Sequence, residues 1–452
     1  MKQSLAHSLR VLVVSFIATA VVQLHAQNFV PASTNSSLGG PNAVTVADVN
    51  GDGRLDLISP DTADNMLLVF TNKGNGSFAP AASYKTGNGP FWVTAADVNR
   101  DGKVDLISAN QYDNTLTVLT NNGSGIFGSN AAYSVGSSPR SVIAADINGS
   151  GNLALICANY NAATLSVLTN NGHGVFGSNA TYTVGVNPIS VIAADINGSG
   201  WPALICANYY PADTLSIYTN NGSGVFGSNA TVNAGGGGGG LSAVTPADIY
   251  GNGKPALVCA EYYGRELLVL TNNGSGRFVS NAVASVAPLT VTWGTAADVN
   301  GDGRVDLIVL ENYGNAVAVF TNNGGGIFSS NASYAVGNYP VDVAAADLNN
   351  DGKMDLIGVN LFDSSLSILT NATAFPAPAS TPALTIRRSS IGLLVSWPTV
   401  SAGWSLQQTP NLANKTWLPS GYGGYGIADD GTNKSLAIAP PFGNSFFRLL
   451  HP

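Results

Sequence analysis

Charge, histidine and glutamate are all scarce in this 452-residue chain. Charged residues make up 10%, and 18 Lys and Arg face 26 Asp and Glu for a net charge of −8. A nucleic-acid partner demands a basic footprint that neutralises phosphates, so that class is excluded. Of four histidines, His7 and His25 fall in the first 26 residues, leaving His173 and His451. No Ser-His or Cys-His constellation can be built from that stock, which argues against nucleophilic catalysis. Cysteine is limited to Cys157, Cys206 and Cys259, an odd count that leaves a disulfide possible in an exported protein, although equivalent positions on neighbouring sheets are expected to be too far apart to bridge. Long hydrophobic runs are also missing. Val11 to Val22 falls short of the ~18 apolar residues that a membrane span needs, and no later segment approaches that length. With Lys2 and Arg10 before it and Leu24-His25-Ala26 behind, this run reads as part of a signal peptide over residues 1–26. The remainder is therefore expected to be secreted, extracellular or at the cell surface, without a membrane span.

What the chain has in quantity is glycine, 53 residues, much of it in Asn-Gly pairs that mark tight turns. These turns recur by ruler. A motif of the form Ala-Asp-x-Asn-Gly-x-Gly begins at Asp48, Asp97, Asp146, Asp195, Asp248, Asp298 and Asp347, at spacings of 49, 49, 49, 53, 50 and 49 residues. The long interval contains Gly235 to Gly240 and reads as a loop insertion. Each unit parses into four strands, in the third repeat Ser141 to Ala145, Leu153 to Ala158, Thr164 to Asn170 and Gly174 to Val184. Seven such units predict an all-β chain with a seven-bladed β-propeller over 27–374. A solenoid would want shorter repeats. The seventh unit lacks its Gly-x-Phe fourth strand, while Phe29 to Thr34 echoes Phe78-Ala79-Pro80-Ala81-Ala82, so the N-terminal segment is expected to complete the last blade and remove an open edge.

The loop after each first strand carries the strongest chemical signal. Asp48, Asn50, Asp52 and Asp56 take alternate positions of a nine-residue loop with Gly53 at the sixth, and the Arg54 carbonyl falls at the seventh. Hard cations want six to eight oxygens, and this spacing offers them from a short turn. The pattern recurs in Asp97, Asn99, Asp101, Lys103 and Asp105; in Asp298, Asn300, Asp302, Arg304 and Asp306; and in Asp347, Asn349, Asp351, Lys353 and Asp355. About four structural calcium sites are expected. An EF-hand is excluded because its twelfth position wants Glu, and Ser59, Ser108, Val309 and Gly358 stand there. Turn formation alone accounts for one Asp-rich loop but not for four ninth-position aspartates. The loops at Asp146, Asp195 and Asp248 keep one carboxylate each and are expected to be metal-free.

On these loops and on stretches such as Gly125-Ile126-Phe127-Gly128, residues 28 to 370 resemble the FG-GAP or VCBS repeat family, which includes the N-terminal propellers of integrin alpha chains. The resemblance implies a seven-bladed propeller with calcium on the face bearing these loops, and a role in adhesion or ligand recognition. Related propellers occur in lectins and beside some lyases and lipases, so the family names a scaffold better than an activity.

The opposite face of such a propeller would carry the turns between second and third strands. There the sequence places Asp61, Asn110, Asn159, Asn208, Glu261, Glu311 and Asn360, followed by Tyr112, Tyr160, Tyr209, Tyr262, Tyr313 and Phe362, with Trp92, Trp293 and Tyr339 in the connections. Amides and carboxylates backed by aromatics suit hydrogen bonding and stacking on a glycan or an extracellular protein loop. The alternative for each residue is turn capping and packing. A monomeric recognition module is the leading reading; the rival is a carbohydrate-active lyase or hydrolase in the funnel, with Glu261 and Glu311 as the one conceivable acid–base pair. The cysteines sit at one strand position of successive repeats and read as small buried filler. A Pro- and Ala-rich linker at 375–382 precedes a small β-sandwich-like module at 383–452.

Overall fold

The computed structural model describes residues 28–373, apart from 37, 75, 212, 235–239, 263–265 and 286–290, together with seven strand segments between 385 and 450. The expected signal peptide and linker lie outside these residues. Among the described residues every regular element is a strand. Seven four-stranded antiparallel sheets form the blades, and their inner strands neighbour one another around a ring that returns from blade seven to blade one. Blade three comprises Pro139–Ala145, Ala154–Asn159, Thr164–Asn170 and Phe176–Thr183, within two residues of the sequence-based bounds. Two further sheets lie beyond residue 384: Thr385–Ser389, Gly392–Pro398, Asn433–Ile438 and Ile427–Asp429 form one, and Leu418–Pro419, Ser405–Thr409 and Phe446–Leu450 the other.

Second strands explain why these sequences stack. Each is buried along its whole length, as in Leu155-Ile156-Cys157-Ala158, because neighbouring sheets cover both faces and alternation has no use there. Cores form between blades: Leu155 and Leu168 pack with Ile107 and Val118 of the preceding blade. Aromatic pairs repeat this contact, with Tyr84–Phe127, Tyr133–Phe176 and Tyr182–Phe226 each edge-to-face at 5.1 to 5.7 Å across successive blades.

The N-terminal segment completes blade seven. Phe29–Ser36 pairs antiparallel with Ser365–Asn371, and Phe29 lies 5.0 Å from Tyr334 of blade six in the same edge-to-face pairing. Even the irregularity is shared. Outer strands two to six bulge at one register, as between Val118 and Leu119, and Phe29–Ser36 bulges at the equivalent place between Pro31 and Ser33.

Blades are also stitched through polar atoms. Asn121, at the end of a third strand, donates from Nδ2 to the Val49 carbonyl of the preceding blade at 2.8 Å. Asn170, Asn220, Asn272, Asn322 and Asn371 make the same cross-blade bond, and Asn72 carries it over the closing seam to Leu348 at 2.7 Å. At that seam the carboxylate of Asp342 accepts the Val44 N–H at 2.8 Å. Burial pushes its pKa up to about 7 against the opposing effect of that bond and the Val343 N–H. The native state thus holds a proton that the unfolded chain releases near pH 4, so this group's stabilisation is present in acid and lost as pH rises towards 7. Asp342→Asn removes the titrating group and should flatten this pH dependence between pH 5 and 8, at the loss of one of the two backbone N–H bonds that the carboxylate oxygens accept. Parallel melting-temperature profiles for the two proteins would show that Asp342 does not titrate there.

Candidate functional site

The acidic loops lie on one face of the ring. The Oδ1 of Asp48 accepts the N–H groups of Gly51 and Asp52, and Oδ2 accepts that of Gly53 at 2.8 Å. Gly53 has a φ of 83°, the left-handed conformation that a turn of this tightness requires. Asp97, Asp298 and Asp347 wind their loops in the same way, but so do Asp146, Asp195 and Asp248. The first Asp is thus a turn former in all seven repeats. Asn50 accepts the Asp52 N–H and Asp52 accepts the Arg54 N–H, a ladder repeated by Asn99, Asp101 and Lys103, by Asn300, Asp302 and Arg304, and by Asn349, Asp351 and Lys353.

Ninth-position aspartates separate the four acidic loops from the rest. Asp56, Asp105, Asp306 and Asp355 are fully buried, and each carboxylate accepts two backbone N–H groups, those of Val49 and Asn72 in the case of Asp56. This anchors the loop to the third strand, a structural use that needs no cation. Burial, followed by the neighbouring carboxylates, works against these hydrogen bonds to raise all four pKa values, to about 7 for Asp306 and about 6 for Asp355. The nearest cations are the loops' own: Arg54, Lys103 and Arg304 stand 3.7 to 3.8 Å from Asp52, Asp101 and Asp302 in solvent-exposed pairs, which relieve little. Among the described residues no group of three or more Asp, Glu, His or Cys draws close enough to hold a metal. Each acidic loop does offer oxygen donors and like charges in need of a counter-ion.

On the opposite face, the polar ring read from the sequence lies beneath the surface. Asp61, Asn110, Asn159, Asn208, Glu261, Glu311 and Asn360 are all buried. Asn110 donates to the hydroxyls of Thr115 and Thr117; Asn159, Asn208 and Asn360 span their hairpins alike, to Thr164 and Ser166, Thr214 and Ser216, and Ser365 and Ser367. Asp61 caps the Asp64 N–H, and Glu311 accepts from Ser333. Most of these groups bond within their own hairpins, while Oδ1 of Asn159 and Asn360 and Oε1 of Glu261 are buried without a hydrogen-bond partner. The cysteines belong to the same arrangement. Ser108 donates to Asn110 Oδ1, and at the equivalent place in blade four the Cys206 thiol lies 3.8 Å from Asn208 Oδ1. All three thiols are free, buried and pushed up in pKa by that burial.

The aromatics do reach the surface. Tyr112 and Tyr313 are each 70% exposed, with Phe362 and Tyr210 also prominent. Tyr339 stacks on Phe362 at 4.5 Å, and its hydroxyl lies 3.1 Å from that of Tyr262, which faces Tyr209. Tyr160 is half-buried. The side chain of Trp293 lies outside the described set.

Between these aromatics opens a funnel of about 330 Å³ at the mouth of the central channel. Its wall was not legible from strand alternation, because it is made by bulges. Near the start of five of the inner strands the register slips by one residue, and the residue left unpaired is Phe91, Arg140, Ile189, Ser242 or Val341. A bulge re-aims its side chain, and all five line the funnel beside Trp92, Tyr209, Tyr262 and Tyr339. The signal available in the sequence was the residue after the proline that opens four of these strands. Neither Glu261 nor Glu311 lines this cavity, and its described lining holds no carboxylate and no imidazole.

No curated protein matches the chain in sequence. Among solved structures it is similar to BBS1N in complex with ARL6DN, at 12% identity and a TM-score of 0.57 over 77% of this chain and 98% of that one. It is also similar to virginiamycin B lyase from Staphylococcus aureus, at 16% identity and a TM-score of 0.51 over 76% of this chain and 98% of that one. A third neighbour is a putative 6-phosphogluconolactonase from Bacteroides fragilis, at 14% identity and a TM-score of 0.54 over 68% and 87%. Identities this low show a shared propeller fold, one that serves both enzymes and binding modules. The FG-GAP-like repeat model matches six overlapping segments, 48–108, 97–156, 146–206, 195–259, 248–309 and 298–358, and the chain belongs to this repeat family.

Proposed function

We propose that this protein is an exported, monomeric recognition module that binds a glycan or an extracellular protein in the aromatic funnel, with calcium bracing the four acidic loops on the other face. The observation that carries the binding reading is the funnel lining, in which aromatic rings, amides, hydroxyls and one guanidinium converge on one cavity. Such a wall stacks and hydrogen-bonds a ligand, and the phenols of Tyr209, Tyr262 and Tyr339 are the groups a proton-transfer chemistry would have to use. Screening the purified protein on glycan and extracellular-protein arrays, with a parallel assay for new reducing ends or unsaturated products, tests this. Binding without turnover is expected. Phe91→Ala combined with Tyr209→Ala should weaken that binding at least tenfold, about 1.4 kcal/mol or more, and leave the melting temperature within a few degrees of wild type. Turnover abolished by either substitution would make the funnel an active site and overturn the reading.

A further inference from the structure

Taking the funnel as the ligand site, we propose that its ligand is an acidic sugar, a ring carrying a carboxylate or a sulfate ester, and that Arg140 is the residue that reads the acid. Arg140 is a cation without a counter-ion among the described residues. Arg54 and Arg304 each stand beside an aspartate, but the guanidinium of Arg140 lies 4.3 Å over the Phe91 ring and 4.9 Å from that of Tyr160. Its Nε is buried and has no hydrogen-bond partner. Burial lowers its pKa, and the groups that act in the other direction are the Tyr160 and Tyr112 phenols, with no carboxylate among them. An arginine stays charged regardless, and its buried Nε without a hydrogen bond is costly, while the residue as a whole is only half-buried. Stacking on Phe91 holds the planar fork in place and leaves its edge for a bidentate acid, the geometry in which arginine outperforms lysine.

The rest of the cavity selects a sugar over a protein. About 330 Å³ is at the small end of pockets that hold compact ligands, roughly 300–1,000 Å³, whereas a protein partner needs about 800 Å² of surface on each side. Phe91, Tyr209 and Tyr262 offer rings to the apolar face of a pyranose, and Asn42 and Ser242 offer polar atoms to its hydroxyls. Asn42, Phe91 and Arg140 also line a shallower groove of about 750 Å³ that runs outward past Tyr112, so a longer acidic chain could leave the funnel along it.

Calorimetric titration of the full-length protein with matched pairs decides the matter: oligogalacturonate against its methyl ester, and a sulfated galactan oligosaccharide against its desulfated form. The expected result is at least tenfold tighter binding of one acid than of its neutral partner, weakening with salt, and the pair that shows it identifies the acid. Arg140→Gln should erase the tenfold preference while leaving neutral binding and melting temperature in place, and Arg140→Lys should keep part of it. Should Arg140→Gln misfold, the salt dependence of the wild type and the Arg140→Lys ratio carry the same test. Equal affinity for acid and ester overturns the anion assignment but leaves the funnel standing if Phe91→Ala still abolishes binding. An acidic peptide that binds where no sugar does overturns the choice of sugar, and failure of every array ligand to respond to funnel substitutions removes both this inference and the reading beneath it.

Discussion

Excess chelator should lower the melting temperature of the purified protein, and millimolar calcium should restore it. If free calcium stands about tenfold above Kd, each of four loops adds roughly 1.4 kcal/mol, which for a ring of this size amounts to on the order of 10 °C in total. The reason lies in the like charges of each loop. Burial, and after it the charges of Asp52 and Asp48, push Asp56 towards protonation, and the exposed Arg54 relieves them little. Raised native pKa values mean that without metal these groups stabilise the fold when protonated, so the chelated protein loses stability as pH rises through about 6 to 7, where Asp355 and Asp306 release their protons. Calcium competes with the same protons, so its increment should be larger at pH 7.5 than at pH 5.5. A clean variant exists within the sequence itself. Ser150 and Ser199 occupy the place of Asp52 in folded blades, so Asp52→Ser with Asp101→Ser should fold and remove about half of the calcium response. An identical melting temperature in chelator and calcium at both pH values would mean that the aspartates serve backbone capping alone.

The repeat was readable because it rests on residue types with few other uses. Asp-x-Asn-Gly-x-Gly at a constant interval fixes where each sheet turns, and four short apolar stretches between those turns leave the propeller as the compact solution. The echo of Phe78-Ala79-Pro80 in Phe29-Val30-Pro31 was likewise enough to pair the two ends. The site was harder to see, for two physical reasons. Asparagine at a strand end is equally suited to a ligand and to its own hairpin, and Asn110 shows the second outcome because Thr115 and Thr117 stand within reach. Arg140 sits on a bulge, where the period-two rule that assigns strand faces slips by one, so its position in the funnel depends on sheet register and not on alternation. The Asn121 stitch is not legible in the sequence for a third reason: its partner Val49 is 72 residues away, and Asn-Asn-Gly has a sufficient local explanation as a turn.

Phe29→Ala should cost about 3–5 kcal/mol, a large loss for a residue so near the chain's start. The ring of Phe29 is 5% exposed and fills the place against Tyr334 that Phe127 fills against Tyr84. Its strand also covers the third strand of blade seven, through backbone pairs from Phe29↔Asn371 to Ser36↔Ser365 and a bond from the Ala372 N–H to the Asn28 carbonyl at 2.7 Å. Removing residues 28–36 altogether would leave Ser365–Asn371 as a long unpaired edge, and such edges recruit other chains. The truncated protein is therefore expected to aggregate on heating where Phe29→Ala only melts earlier. Kinetics should separate closure from the rest of folding. The pairing joins segments about 340 residues apart, so it carries a high loop-closure cost and forms after the local hairpins of each blade. A contact made late is absent from the transition state, which places its loss on the unfolding rate: Phe29→Ala should accelerate unfolding by most of its equilibrium effect and leave refolding nearly unchanged. A refolding rate that falls in proportion would put ring closure at the start of folding, and an unaltered stability would mean that blade seven holds without its N-terminal strand.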